Sequence, residues 1–151
     1  MRLQRDIRSG TTLVESAVVY PFVILMIFGL MIGGLGVFRY QEMSSLALRA
    51  ARWASVHGQQ WGQDTGNTPS TPTDIYNSAI SPFCVILNSA NLHYSVSYNA
   101  ANRAASSFIQ NGDVKLQTNT VTVTVSYDWV PEALLGTGVT LSSTSVMPMS
   151  Y

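Results

Sequence analysis

Between Ser16 and Phe38 the chain carries no charged side chain, a run of 23 residues. At about 1.5 Å of rise per helical residue, such a run reaches across a hydrocarbon core about 30 Å thick. Arg2, Arg5 and Arg8 precede it, and a single carboxylate, Glu15, stands at its mouth. Whatever follows is an extension of this helix or a domain hung from it. The run exceeds the apolar core of a secretory signal peptide, which spans about 7–15 residues, and no A-x-A-like cleavage site follows. An uncleaved single-pass anchor is the plain reading.

Past Arg39 the apolar positions do not stop; they become periodic. Met43, Leu46, Ala47, Ala50, Trp53, Ala54 and His57 share one helical face, while Gln41, Ser45, Arg49 and Arg52 share the other. The helix is expected to leave the membrane unbroken and run to His57 as a packing residue, with Gly58 as its stop. Inside the span, Gly29 and Gly33 form a GxxxG that would let two helix backbones approach closely; a general enrichment of glycine in membrane helices is the alternative. Pro21 removes one backbone donor and is expected to kink or loosen the helix.

The rest of the chain reads as one small domain. Gly58 to Thr73 has the composition of a loop. Asp74 to Asn91 reads as two short helical pieces broken at Pro82, with Ser81 as cap. Leu92, Tyr94, Val96 and Tyr98 alternate with polar residues, and Val121, Val123, Val125, Tyr127 and Trp129 do so more clearly; both patterns predict half-buried strands. Between them, Ala100 to Gln110 is ambiguous, and Asn111-Gly112-Asp113 signals a tight turn. Pro131 ends the second strand, Gly136 and Gly138 suggest a turn, and a last strand covers Thr140 to Met147. The fold class is therefore α+β: a long N-terminal transmembrane helix, an amphipathic continuation, and a small antiparallel sheet. The boundaries are a basic leader over 1–10, the span over 11–38, the amphipathic extension over 39–57 and a β-rich domain over 58–151.

Charge excludes some functions. Eight basic and eight acidic side chains give a formal net charge of zero, so nothing offers nucleic acid a basic face. Three arginines precede the span and three (Arg39, Arg49, Arg52) follow it soon after, which leaves the positive-inside rule without a vote. Cys84 is the single cysteine; it reads as a small buried core residue, with an intersubunit bridge as the alternative. His57 and His93 lack metal-ligand spacing, and no P-loop, GxGxxG, G-x-S-x-G or HExxH pattern occurs. No cofactor or metal is expected, and no enzymatic activity. A membrane-tethered hydrolase using His57 or His93 with a serine is the least supported option. The Thr/Ser-rich strand faces read as solvated surface rather than as a sugar-binding one.

Two further features carry a resemblance. A basic leader ending in Gly10, with a glutamate five residues later opening the apolar run, resembles the processing site of type IV prepilins. More closely, Arg8-Ser9-Gly10, Val14-Glu15, Tyr20-Pro21-Phe22 and Ala47-Leu48-Arg49-Ala50-Ala51-Arg52-Trp53-Ala54 resemble the TadE-like minor pilins, or pseudopilins, of tight-adherence (Flp) pilus systems. A weaker likeness continues through the late Thr/Val strand and a Pro-Leu-Leu-Gly-type loop. Thr11 stands where many type IV pilins have phenylalanine or methionine, and Ser16 replaces the tyrosine of the Flp-type Glu-Tyr pair. The resemblance implies cleavage by a prepilin peptidase between Gly10 and Thr11, a subunit-assembly role for Glu15, and other pilin and pseudopilin subunits and pilus assembly machinery as partners. It also implies a cytoplasmic N-terminus and an extracytoplasmic C-terminal domain, anchored in the lipid bilayer of the inner membrane. Glu15 as a helix-end carboxylate favoured by the macrodipole is the alternative, and an uncleaved envelope-binding module is the alternative for the whole chain.

Overall fold

The computed structural model describes the backbone of residues 4–131 and 138–151, and their side chains from Thr12 onward. One helix, α1, spans Gln4–Val56 and passes through Pro21 without interruption. The chain divides after Val37 into two compact units.

In the first unit the helix stands by itself. Phe22 and Leu25 are each 73% exposed and Leu30 69%, an arrangement that only a lipid or protein environment would tolerate. The second unit, from Phe38, begins with the amphipathic part of α1. Met43, Leu46, Ala47, Ala50, Ala51 and Ala54 are all buried, at the spacing that places them in one stripe. Ala51 and Ser55 join the stripe although the sequence pattern omitted them, whereas Trp53 lies at its margin, half-buried. Four alanines in that stripe leave room for close approach of a sheet.

That sheet has three antiparallel strands in the order β1-β4-β5: β1 is Leu92–Tyr98, β4 Thr120–Trp129 and β5 Val139–Pro148. The central strand aligns Val125 with Tyr94 and Ser143, and Val123 with Val96 and Ser145. That face is apolar on β1 and β4, with Ser143 and Ser145 of β5 beside them, and Val121, Val123 and Val125 on it are fully buried. The opposite face carries His93, Ser95, Ser97, Thr122, Thr124, Ser126, Asp128 and Thr144, in the period-two alternation of a half-buried sheet. Thr124 and Thr144 share a hydrogen bond of 2.9 Å across it.

The ambiguous region resolves into a second, two-stranded sheet, β2 (Ala105–Gln110) and β3 (Asp113–Thr118). Asn111 and Gly112 join them with φ of 57° and 87°, the positive pair that a two-residue hairpin turn of the primed type requires. Asn119 ties this hairpin to the sheet. It is fully buried, and its Nδ2 donates to Arg103 O at 2.9 Å and Ser106 Oγ at 2.8 Å. Its own carbonyl accepts from Met149 N at 2.8 Å.

Three expectations need correction. Gly58–Thr73 is not all loop: Gln59–Thr65 forms a short helix, α2, capped by Gly66 in the left-handed region. Composition favoured a loop, but Trp61 has a ring contact with His57 to hold the turn in place. Asp74–Asn91 does not form two α-helical pieces. A four-residue helix, α3 (Pro72–Ile75), starts from a Thr71/Asp74 capping box, widens into a π-type turn over Tyr76–Ile80, and tightens into a 3₁₀ turn at Ser81–Phe83. Ser81 lies inside that last turn, and Ile80 caps it without a side-chain bond. Cys84 is half-buried rather than buried. Of the expected Gly136/Gly138 turn and the Pro-Leu-Leu-Gly-type loop, residues 132–137 lie outside the described residues.

The C-terminus closes the unit. Ser150 N and Tyr151 N donate to Ser55 O at 2.8 and 3.3 Å, occupying a carbonyl that the end of α1 would otherwise leave without a partner. Gly58 sits beneath this strap, where an added Cβ would collide with Tyr151 O and approach Met149 Cε to 2.8 Å.

Candidate functional site

The residues singled out in the sequence form a line along α1, not a pocket. Gly10, Glu15, Gly29 and Gly33 are exposed, and the side chain of Thr11 lies outside the described ones. Gly10 and Glu15 are five positions apart, which turns them by about 140° around the helix. Gly29 and Gly33 are only about 40° apart and share a face; around each there is open space where a Cβ would stand. Ser16 Oγ donates to Thr12 O at 2.8 Å, a back-bond that consumes the hydroxyl within the helix. The arrangement offers a carboxylate near one end of an uncharged helix and a smooth glycine face further along. Chemically it can bind a counter-charge and pack against another helix.

Among the described residues neither imidazole has a serine hydroxyl as a hydrogen-bond partner; Ser70 Oγ donates instead to the backbone carbonyl of His57 at 2.7 Å. His57 stacks on Trp53 with ring centroids 4.0 Å apart, meets Trp61 edge-on at 4.7 Å, and places Nδ1 2.8 Å from Trp53 O. It is a packing residue, as expected from its place at the end of the apolar face. An open groove of about 310 Å³ beside it is lined by Trp53, Trp61, Asn67 and Asp74 among others. The Asp74 carboxylate there is already committed to Thr71 N at 2.9 Å and Thr71 Oγ1 at 2.7 Å, bonds that lower its pKa. Among the described residues, no group of three His, Cys, Asp or Glu is placed to hold a metal ion.

His93 Nε2 lies 3.2 Å from Asp128 Oδ2 on the open sheet face, and Thr140 Oγ1 donates to Asp128 Oδ1 at 2.7 Å. The Thr140 hydroxyl, and then His93, hold the Asp128 carboxyl below its ordinary value, against some opposing desolvation. A depressed folded-state pKa adds stability above the unfolded value and loses it as pH falls through the folded one. Asp128→Asn is therefore expected to melt slightly below wild type at neutral pH. That gap should close on acidification below the ordinary carboxylate pKa of about 3.9. Thermal melts at neutral and acid pH check this, and a gap that widens in acid would contradict it.

Sequence reasoning missed two contacts that brace the start of the second unit. Glu42 Oε1 accepts from Val85 N at 3.0 Å and Ile86 N at 3.1 Å. Arg39 places its guanidinium 5.2 Å from the Trp129 ring centroid and 5.9 Å from that of Tyr127. Each joins residues over 40 positions apart, so no local pattern could reveal them. Burial first, and then the Glu42 charge, push the Cys84 thiol pKa up, while its Sγ–H donates to Leu87 O at 3.2 Å. The thiolate that disulfide exchange needs is therefore scarce.

The long exposed helix fits a single-pass membrane anchor: its most apolar window has a mean hydropathy of 2.4 and is 0% buried. No curated protein and no solved structure matches the chain. The family model described as TadE-like protein matches residues 10–52. It begins at Gly10, runs the length of the exposed span and ends within the buried stripe. The chain thus carries a TadE-like segment, made of the anchor and the first part of the helix on which the sheet is built.

Proposed function

We propose that this protein is a minor pilin-like subunit (pseudopilin) of a tight-adherence pilus system, structural rather than catalytic. It is held in the inner membrane by α1, with residues 58–151 on the extracytoplasmic side. The observation that carries the reading is the TadE-like match starting at Gly10 and covering a helix whose stretch from Ser16 to Phe38 is uncharged and largely exposed. Such a helix has two natural environments, lipid before assembly and neighbouring subunits after it. Gly29 and Gly33 provide the close-packing face for the second. Pilus subunits and assembly machinery are the partners. The domain beyond the helix suits a subunit that initiates or caps a fibre better than one repeated along its shaft.

Prepilin peptidase is the processing partner in this reading, with cleavage between Gly10 and Thr11. Co-expressed with a cognate peptidase, the protein should begin at Thr11, and a bulky replacement of Gly10 should block the cut. Intact-mass measurement decides it: Met1 retained beside an active peptidase would leave an uncleaved anchored envelope-binding module. One observation favours that second reading. Residues 10 and 11 lie inside α1, so the bond must unwind before a peptidase can reach it. A glycine eases this, since it weakens a helix by about 1 kcal/mol relative to alanine.

A further inference from the structure

We infer that the groove beside His57 binds a neutral saccharide, with the sugar ring against Trp53 and Trp61 and its hydroxyls bonded to Asn67, Thr68, Asp74 and Ser78. All six residues belong to the second unit.

Five segments build the groove. Trp53 comes from the end of α1, Trp61 from α2, Asn67 and Thr68 from the chain after it, Asp74 from α3 and Ser78 from the π-type turn. They are held together by bonds within the fold. His57 O accepts from Ser70 N at 3.1 Å and from Ser70 Oγ at 2.7 Å, which ties the chain after α2 to the end of α1. Trp53 stacks on the His57 ring, and Trp61 meets the same ring edge-on. Thr71 and Asp74 close the capping box that starts α3. Short π-type turns such as the one that carries Ser78 are frequent at functional sites. The walls are thus set before a ligand arrives, which lowers the ordering cost of binding.

At about 310 Å³ the groove is at the lower end of the range for ligand pockets, about 300–1,000 Å³. It is open, as suits one or two units of a longer chain. Its lining is amphipathic. The two indoles bring π faces of negative potential and two N–H donors, neither with a hydrogen-bond partner among the described residues. Asn67 Nδ2 donates to Thr65 Oγ1 at 3.0 Å, which leaves Oδ1 as an acceptor. Asp74 Oδ2 takes both Thr71 bonds, which leaves its Oδ1. Thr68 and Ser78 are exposed, and their hydroxyls both donate and accept. A pyranose fits this set: polarised C–H bonds on a ring face meet an indole, and hydroxyls around the rim meet donors and acceptors alike.

Other ligand classes fit less well. Among the described residues no lysine or arginine lines the groove, so a phosphate or an acidic sugar lacks a counter-charge. A wholly apolar ligand would strip water from the polar side chains and replace none of their hydrogen bonds. A quaternary ammonium would find the rings and Asp74 but would leave the amide and both hydroxyls unused. The hydroxyl-rich sheet face has no indole on which a ring could rest.

Full-length protein in a polyoxyethylene detergent, which carries neither sugar nor cation, is titrated with cellobiose, maltose, lactose and chitobiose. Choline chloride and glucuronate are the cationic and anionic arms, and saturation-transfer difference NMR reads binding throughout. At least one of the four disaccharides should bind, with its ring C–H protons saturated most strongly. Its apparent Kd should rise at least about fivefold in Trp61→Ala and in Asn67→Ala, while Thr124→Ala on the sheet face should match wild type. Asn67→Ala removes an exposed side chain and keeps both indoles, so the readout survives if Trp61→Ala unfolds α2. Saturation of none of the four disaccharides would overturn the proposal, and binding of choline alone would overturn it in favour of a cation site. Disaccharide binding that Asn67→Ala leaves unchanged, or that Thr124→Ala abolishes, would place the sugar elsewhere and overturn it as well.

Discussion

Protein carrying Glu15→Ala is expected to reach the membrane in wild-type amounts and to fail to join an assembly. Insertion should be unimpaired, because removing a charge at the edge of an apolar span makes entry into lipid easier. Assembly should suffer if the new amine of Thr11 on one subunit is neutralised by Glu15 of the next. Glu15 is exposed on α1. Leaving that amine buried without its counter-charge costs on the order of a few kcal/mol. A loss of about 1.4 kcal/mol is already tenfold in an equilibrium constant. Glu15→Asp should rescue in part, keeping the charge on a shorter arm. Crosslinking to partner subunits, or fibre counts, measures the effect. Equal assembly by wild type and Glu15→Ala would return Glu15 to a helix-end carboxylate stabilised by the macrodipole.

Val123→Asp should abolish the cooperative unfolding transition of the second unit, whereas Thr122→Asp should shift it little. Val123 is fully buried, with Val96 on one side and Ser145 on the other. A carboxylate there has no cation to meet, and the cost exceeds about 4 kcal/mol, a large part of a small domain's total stability. Thr122, one residue away, points to the other face, where a surface substitution is worth about 0.5 kcal/mol either way. Near-ultraviolet circular dichroism of the detergent-solubilised full chain, followed on heating, reads both. If the two variants melt alike, the sheet does not have the register described.

The span and the central strand were legible because their signals are local and strong. A run of 23 residues without charge has one physical solution in lipid, a helix that satisfies its own backbone. Alternation from Val121 to Trp129 selects a strand with one buried face, whatever packs on it. Asn111-Gly112 likewise announced its turn, since both residues tolerate positive φ. The region from Gly58 to Asn91 was less legible. Its turns depend on the Thr71/Asp74 capping box and on a Trp–His–Trp contact cluster, and short helices of this kind carry too little propensity of their own to be read from composition. Asn119 gave no signal at all: its role comes from carbonyls and a hydroxyl that only the folded chain brings within reach.

By itself the sequence determined a long apolar helix running on as an amphipathic one and a β-rich domain after it. Those properties follow from composition and period along a single segment. Tertiary structure alone decided that the β-strands form two sheets rather than one and that the C-terminus caps α1 at Ser55. It also decided that Glu42 and Arg39 gather the Val85 loop and the end of β4 at one level. These are pairings between residues far apart in the chain. Their energy comes from burying one surface against another, and neither surface records in its own sequence which partner it will meet.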